Sequence, residues 1–515
     1  MKSGKLLIVF FLAMSFYATA QNRNSVWCFG DSAGINFSNI NNPVPFTSSV
    51  EGRGSCVSIA DNNGNLLFYS NTWMYTARTI VWNALNDTMT NSYPMGGGGG
   101  FNDIQIVPFP DGQNKYYLFY QNFAGSMDGI FYAIIDMNTV WGTPGLGEVI
   151  IKGQQITNHR IADCLQAVKH GNGRDWWLVT KFSDANHTTY NRFAVFLVTP
   201  NGISTPVFYD FNDAMDMDFQ KIIFNNSYTK IMNINLYGYM CEFDFDRCSG
   251  VISNPHVIYP EITSLPYNRV FWEGAYSPND SVFYIATNRY PLFLNCYLLQ
   301  FDLTASDIPA SCDTLDDYLF PIEPGAVRLA PDGKIYYSRA YLSPGVNSFP
   351  YADSMYNYIN MNLSVINEPD NLGAACNYQP FSFYLGGKRT YYSLPNNPNY
   401  ELGALTGSIC DTLTGIAPLA TSAKGAELFV TYIASWQKLF VNAQHLKGKS
   451  ITLTIYDVTG NLIYNTARAL SPSGVGGSAG GYFTQDINCS ALAKGMYIVS
   501  LQTEKERLAN KFVVE

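Results

Sequence analysis

Residues 115–121 read KYYLFYQ, and six other segments repeat the same kind of phrase: a turn rich in Asn, Asp, Gly or Lys, then a short run of aromatic and β-branched residues. The other copies are NLLFYS from Asn65, DWWLVTK from Asp175, KIMNINL from Lys230, SVFYIAT from Ser281, KIYYSRA from Lys334 and RTYYSL from Arg389. Successive copies begin roughly 50 to 60 residues apart, a period typical of β-propeller blades. The repeats therefore predict an all-β, seven-bladed β-propeller over residues 22–405.

Helical periodicity is nearly absent, and turn signals such as PDGQN, SPND and PDGK separate the strand-like runs. A propeller must join its ends, because an open edge strand is prone to aggregate. The strand-like segment Ser25–Phe29 lies outside the repeats, so we expect it to pair into the final blade as a clasp. We interpret the run Gly96–Gly100 as a mobile loop.

The texture of the sequence changes after Tyr400 to small residues without a repeat, which indicates a linker over residues 406–424. A second β module follows at residues 425–515. It contains two strands around a turn with Gly460, ITLTIYDVTGNLIY, and a closing hairpin. Short alternating strands in a module of this length predict a small Ig-like β-sandwich.

The N-terminus carries the pattern of an export signal. Lys2 and Lys5 precede an apolar run over residues 6–17, and Ala18-Thr19-Ala20 supplies a small-residue cleavage site. The apolar run is shorter than the ~20 residues that a membrane-spanning helix needs. Residues 1–20 are therefore predicted to be a signal peptide, and the mature chain is not expected to be a transmembrane protein.

The composition argues against one class of partner. The formal net charge is −9, and only 14% of residues are charged while 15% are aromatic. Binding to nucleic acid depends on clustered Lys and Arg. We therefore expect no nucleic-acid partner, and a surface built largely of neutral polar residues.

Ten cysteines in an exported chain favour disulfide bonds, because the compartment beyond the inner membrane is oxidising. Cys241 and Cys248 could face each other across a hairpin, and Cys296 and Cys312 bracket another short excursion. These two pairs are the disulfide candidates. No Cys or His spacing is typical of zinc binding, and we predict neither a metal nor a cofactor.

Candidate chemistry rests on charged residues near the start of the inner strand of each blade. Five could point into the central channel: Asp163, Asp216, Asp218, Glu273 and Arg328. Propeller glycosidases place carboxylates there, but we favour the interpretation that these residues are turn acids and hydrogen-bond partners. No catalytic residue is assigned. Trp73 and Tyr75, in the insert NTWMYTAR, are instead candidates for stacking on a glycan.

The last 65 residues or so resemble the C-terminal sorting domain of the type IX secretion system of Bacteroidota. The matching residues are Ile455-Tyr456-Asp457, Gly460, Leu492, Lys494-Gly495-Met496-Tyr497, Val499 and Lys511-Phe512-Val513-Val514. The sorting-signal residues implied by the resemblance are Gly460, Gly495, Tyr497 and Lys511. It also implies the secretion machinery and a sortase-like peptidase as partners, and a protein that is either released or attached to surface lipopolysaccharide.

The repeat region resembles the N-terminal part of exported proteins tied to gliding motility and adhesion. WCFGDSAGINF, CVSIADNNGNLLFYS, DFDRCSG and NLGAACNYQP carry this resemblance. Our leading hypothesis is a non-enzymatic module for adhesion, or for binding a surface glycan or protein. The alternative is a propeller hydrolase or lyase acting on glycans or lactones.

Overall fold

The chain folds into two compact units, residues 1–412 and 413–515. In this computed structural model the described residues are 22–514 without 53, 74–77, 94, 99, 123–128, 139–144, 184–190, 212–218, 263–268, 289–294, 342–354, 409, 412–426, 434–436, 458–460 and 470–480. The predicted signal peptide lies outside them. Short 3₁₀ helices occur at Asn22–Asn24, Pro309–Ser311 and Gly373–Cys376. Within the described ranges, no helix has the length and apolar character to cross a membrane.

The strands of the first unit form seven antiparallel sheets over the described ranges, and the sheets follow one another along the chain. Sheet one contains β1 (Val26–Phe29), β2 (Asp31–Asn36) and β3 (Val44–Glu51), and sheet two contains β4 (Cys56–Ala60), β5 (Leu66–Trp73) and β6 (Arg78–Asn83). Sheet three contains β7 (Ile104–Pro108), β8 (Lys115–Gln121), β9 (Ile130–Asp136) and β10 (Glu148–Thr157). Sheet four contains β11 (Gln166–Lys169), β12 (Trp176–Phe182), β13 (Arg192–Thr199), β14 (Gly202–Ile203) and β15 (Val207–Asp210).

The remaining sheets of this unit have four strands each. Sheet five contains β16 (Gln220–Phe224), β17 (Lys230–Asn235), β18 (Met240–Phe245) and β19 (Ile252–Tyr259). Sheet six contains β20 (Val270–Tyr276), β21 (Val282–Asn288), β22 (Asn295–Asp302) and β23 (Asp313–Leu319). Sheet seven contains β24 (Ile322–Leu329), β25 (Ile335–Tyr341), β26 (Asn362–Ile366) and β27 (Tyr378–Tyr384).

The repeated phrase supplies the second strand of each of sheets two to seven. Its consecutive aromatic residues point to opposite faces, because side chains alternate along a strand. Trp176 packs into the core shared with sheets two and three, whereas Trp177 packs into the core shared with sheet five. Tyr336 and Tyr337 likewise face sheet one and sheet six. One phrase thus serves two neighbouring cores.

The apolar cores connect the sheets in a closed series. One cluster joins sheets two, three and four, and others join four with five, five with six and six with seven. A further cluster contains Trp27 of sheet one, Tyr69 of sheet two and Tyr336 of sheet seven. The last sheet therefore packs against the first.

Two expectations about the chain ends are wrong. The seventh copy, RTYYSL, forms no strand of its own, and a sheet from residues 26–51 takes its place in the count. The predicted clasp is also absent, since β1 pairs with β2 rather than with the final sheet. The ends meet through Arg389 instead, which pairs with the carboxylate of Asp31 and shares backbone hydrogen bonds with it. Side-chain packing, one ion pair and an isolated backbone bridge between Asp31 and Arg389 replace a shared strand.

The second unit contains two antiparallel sheets around a single apolar core. One sheet contains β28 (Glu427–Ile433), β29 (Lys438–Leu446) and β32 (Gly481–Asn488). The other contains β30 (Ser450–Asp457), β31 (Leu462–Ala469), β33 (Gly495–Thr503) and β34 (Arg507–Val514). Leu439 and Val441 from the first sheet meet Leu453 and Val499 from the second. This unit therefore has a core of its own.

Candidate functional site

Charged residues from the first strands of successive sheets meet in one buried cluster, which we name the charged layer. Asp103 and Asp163 lie just before β7 and β11, Lys221 lies in β16, Glu273 in β20 and Arg328 in β24. Three of the five channel candidates from the sequence, Asp163, Glu273 and Arg328, are thus brought together. Asp216 and Asp218 lie outside the described residues.

Asp163 is fully buried, and two protein groups contact one of its oxygens while its Oδ1 accepts no hydrogen bond from the described residues. Its Oδ2 accepts the Phe101 N–H at 2.6 Å and lies 3.3 Å from Lys221 Nζ. Burial raises the pKa of Asp163 to about 7; Lys221 opposes that rise, and the nearby Asp103 adds to it. Burial also raises the pKa of Asp103, although Ser55 and Thr72 hydrogen-bond to that residue. The pair therefore binds a proton more readily than carboxylates in water.

Three glycines of the run next to this cluster are closely packed, contrary to the expectation of a mobile loop. Gly97, Gly98 and Gly100 are buried. A Cβ atom at residue 100 would lie 2.8 Å from Oδ1 of Asp163, closer than carbon and oxygen pack. The Gly100 N–H donates to Asp103 Oδ2 at 2.9 Å. Gly100 thus lets the backbone approach both carboxylates.

Glu273 and Arg328 form the second half of the charged layer. Arg328 Nη1 lies 2.8 Å from Glu273 Oε1, and Arg328 Nη2 donates to Asn102 Oδ1 at 2.8 Å. Asn102 Nδ2 in turn donates to Glu273 Oε2 at 3.2 Å. The three side chains come from sheets three, six and seven, so this closed set of contacts joins distant sheets. The Glu273 carboxylate also neutralises the guanidinium of Arg328.

A cavity of about 150 Å³ lies beside Arg328, between the first strands of sheets four to seven. Its lining combines amide side chains with apolar and aromatic groups, and no carboxylate lines it among the described residues. The lining includes Gln166, Phe224, Asn226, Tyr228, Arg328 and Asn399. The cavity therefore offers neutral polar contacts next to aromatic faces.

Tyr228 lies at this cavity in a backbone conformation that a bulky residue rarely adopts, with φ of +56°. The turn that holds it is fixed by Asp280 of the next sheet, which accepts the N–H groups of Asn226 at 2.6 Å and Ser227 at 3.0 Å. The Tyr228 ring lies 6.0 Å from the Phe224 ring. Strain of this kind is concentrated at functional sites.

After sheet seven the chain crosses the starts of the other sheets; we name residues 389–411 the closing segment. Asn396 donates its backbone N–H to Cys56 O at 2.9 Å and accepts from Gln166 Nε2 at 2.9 Å. Lys169 Nζ donates to Tyr400 O at 2.8 Å, and Arg247 Nη2 donates to Gly403 O at 2.7 Å. The segment thereby forms one wall of the cavity. The sequence placed residues up to 405 in the repeat region and did not indicate these contacts.

A disulfide bond between Cys248 and Cys410 fixes the far end of the closing segment. Both predicted pairings are wrong, since Cys241, Cys296 and Cys312 are free. The register explains why. Cys241 faces Val257 across its hairpin and Cys296 faces Tyr318, whereas Cys248 lies beyond β18 in the turn. Neither predicted partner lies opposite its cysteine.

The remaining predicted residues fall in different places. Trp73 ends β5, and Tyr75 lies outside the described residues, as does Gly460. In the second unit Gly495 begins β33, and the buried Tyr497 donates its hydroxyl to Ala493 O at 2.8 Å. Lys511 is exposed on β34. Lys221, Asp103 and Tyr228 were missed, because a single sequence does not show which sheets become neighbours.

The second unit is similar to a known protein family. Residues 437–515 match the family of the secretion system C-terminal sorting domain, so the C-terminal part is of the sorting class. This is the sorting domain of the type IX secretion system, as the resemblance had indicated. The protein is accordingly exported and is either secreted or attached to the outer cell surface.

Over the whole chain, the similarity to known proteins is weak. No curated protein matches it. A putative 6-phosphogluconolactonase from Bacteroides fragilis is similar over 72% of this chain and 96% of its own, with 11% identity and a TM-score of 0.42. The fission yeast SREBP–SCAP binding domains match over 62% of this chain and 75% of theirs, with 10% identity and a TM-score of 0.29. Both scores are too low to carry an argument about fold or activity.

Proposed function

We propose that the chain is an exported, non-enzymatic seven-bladed β-propeller that acts in adhesion, or binds a glycan or protein, at the cell surface, and that an Ig-like sorting domain delivers it. The blade arrangement is supported by seven successive sheets whose cores form a closed series. The type IX machinery and a sortase-like peptidase are its proposed handling partners. The resemblance to gliding-associated surface proteins points to the same role.

The state of the buried carboxylates carries the non-enzymatic part of this proposal. Asp163 is covered by Phe101 and paired with Lys221, and Glu273 is paired with Arg328. An acid pair in a glycosidase must reach the scissile bond from both sides. Carboxylates already bound to protein partners are poorly placed for that, whereas a binding site needs only fixed polar groups and apolar surface.

The alternative, a hydrolase or lyase acting on glycans or lactones, has one observation in its favour. The raised pKa of Asp163, about 7 through burial, is that of a group able to donate a proton near neutrality. Its carboxyl group has no exposed surface, however, so a substrate would first have to displace Gly100 and Phe101. Binding therefore remains the better-supported function.

The test is a glycan array and a hydrolase screen run on one preparation of the full exported chain. Retention on glycans or on surface proteins without turnover is the expected result. Turnover of a glycan or lactone that disappears in an Asp163→Asn variant would establish the enzymatic alternative. A chain that neither binds nor turns over any probe would leave the proposal wrong.

A further inference from the structure

The walls of the cavity present hydrogen-bond acceptors. Within the described part of the chain, the Gln166 side chain makes one hydrogen bond, from Nε2 to Asn396, so its Oε1 is available. Asn226 uses Nδ2 to reach Ser277 O at 2.6 Å and Asp280 Oδ1 at 3.0 Å, which leaves its Oδ1 available. An amide oxygen accepts hydrogen bonds and cannot donate them. A ligand that satisfies both walls must therefore supply donors.

The charge of the lining excludes ionic donors and acceptors as the main recognition element. The cationic Arg328 lines the cavity and disfavours an ammonium ligand. The Glu273 carboxylate lies 2.8 Å from the Arg328 guanidinium and neutralises it. Arg328 therefore attracts an anionic ligand only weakly. Hydroxyl groups and amide N–H groups are the donors that carry no charge, and a small ring offers several hydroxyl donors within a cavity of about 150 Å³. The ligand is then neutral and rich in hydroxyls.

An aromatic wall complements these acceptors. The half-buried rings of Phe224 and Tyr228 lie 6.0 Å apart with an angle of 31° between them. Such faces suit the C–H groups on the apolar face of a sugar. The cavity of about 150 Å³ is below the ~300–1,000 Å³ of sites for drug-sized molecules, so it accommodates one small ring.

We propose that this cavity binds a single neutral sugar residue, such as the end of a glycan chain, through Gln166, Asn226 and the Phe224–Tyr228 rings. The inference rests on the proposed binding function and specifies its ligand class. Asp280 and Glu273 hold the cavity walls in place before the sugar arrives. A prearranged site loses less conformational entropy on binding.

The experiment measures binding of methyl glycosides of glucose, galactose, mannose and N-acetylglucosamine to the full chain by isothermal titration calorimetry. Glucuronate and methylamine are titrated in parallel as an anionic and a cationic ligand. At least one neutral glycoside should bind with a dissociation constant of about 1 mM or below, a range typical of a few hydrogen bonds and one apolar face. Stronger binding of either charged ligand would overturn the inference.

Gln166→Leu removes the acceptor while keeping the size of the side chain, and should weaken glycoside binding about tenfold, the equivalent of one ordinary hydrogen bond. Gln379→Leu is the matched control, because Gln379 also makes one side-chain bond to an asparagine but lies exposed on β27. If Gln166→Leu reduces the yield of folded protein, Phe224→Leu tests the aromatic wall in its place. Unchanged binding in the folded variant would overturn the inference.

The same preparation separates this inference from the broader proposal. Retention on the glycan array or on surface protein without any glycoside binding would reject the cavity and leave the adhesion function standing. Absence of binding to every probe would reject both.

Discussion

Asp163 links the stability of the first unit to pH. Its pKa is about 7 in the folded chain because burial disfavours the charged form, against 3.8 for an ordinary aspartate. A raised folded pKa contributes stability that is complete below the unfolded value and is lost as pH rises through the folded one. Between about pH 4 and pH 7 this contribution falls by about 1.4 kcal/mol per pH unit.

We therefore predict that the free energy of unfolding of the wild type, minus that of Asp163→Asn, decreases from pH 4 to pH 7 and is flat above. Urea unfolding at a series of pH values measures this difference. Asp317→Asn, at an exposed position of β23, controls for the loss of a carboxylate at the surface. If the free-energy difference between the wild type and Asp163→Asn did not change with pH, that would contradict a raised pKa of Asp163 in the folded chain.

Sequence alone could identify residues of the charged layer but not their partners. Asp163, Glu273 and Arg328 were recognised because they stand at the start of inner strands. Lys221 was missed because the lysine that opens KIIF also fits an exposed strand end. Only the packing of sheet four against sheet five brings its ammonium within 3.3 Å of Asp163.

The glycine run is an element whose role depends on close approach rather than on motion. Gly100→Ala places a methyl group 2.8 Å from Asp163 Oδ1, so we predict a loss of about 1–3 kcal/mol in the free energy of unfolding, typical of overpacking. Gly96→Ala is the matched control from the same run. Its Cβ would meet Asn122 at an ordinary 3.5 Å. Equal destabilisation of both variants in urea unfolding would contradict the packing argument.

The closing segment is the element that the Cys248–Cys410 bond fixes, across a sequence separation of 162 residues. Cys248→Ser should lower the free energy of unfolding by about 4–5 kcal/mol if the constraint acts on the unfolded chain. It should also expose residues 389–411 to limited proteolysis, with the cut located by mass spectrometry. Cys312→Ser, at an exposed free cysteine, should change neither. If residues 389–411 of Cys248→Ser were as protected from proteolysis as those of the wild type, the disulfide bond would not fix the closing segment.

The elements show where pattern reasoning works and where it stops. Six copies of the repeated phrase are strands, because their consecutive apolar or aromatic residues are buried on both faces between two sheets. The seventh copy also contains paired tyrosines, yet it begins with Arg389, which pairs with Asp31 of sheet one instead of starting a strand. A local pattern does not reveal which neighbour will occupy a strand's hydrogen-bonding edge.

At the scale of the whole molecule, the sorting domain determines where the protein goes. Its separate core implies that the first unit does not need it for folding. We predict that a chain ending at residue 411 is retained inside the outer membrane, while the full chain reaches the surface or the medium. Cell fractionation with protease accessibility measures this. Surface display of the shortened chain would contradict the role of residues 437–515 in export.

Two substitutions in the sorting unit separate its folding from its recognition by the secretion machinery. Tyr497 lies in the core, where its ring stacks on Phe512 at 5.4 Å, so Tyr497→Ala should unfold the sorting unit and block export. Lys511 is exposed, and Lys511→Ala should leave the unit folded. Loss of export in a folded Lys511→Ala protein would assign that side chain to contact with the secretion machinery.

The disulfide bond also determines how the first unit responds to mechanical load. A protein held through residues beyond 412 is pulled at the end of the closing segment. Tension passes through Cys410 into Cys248 and so into the turn of sheet five. The hydrogen bonds of residues 389–405 lie off this path and are not peeled open one after another. A load applied from beyond residue 412 therefore leaves the cavity beside Arg328 in its unloaded shape.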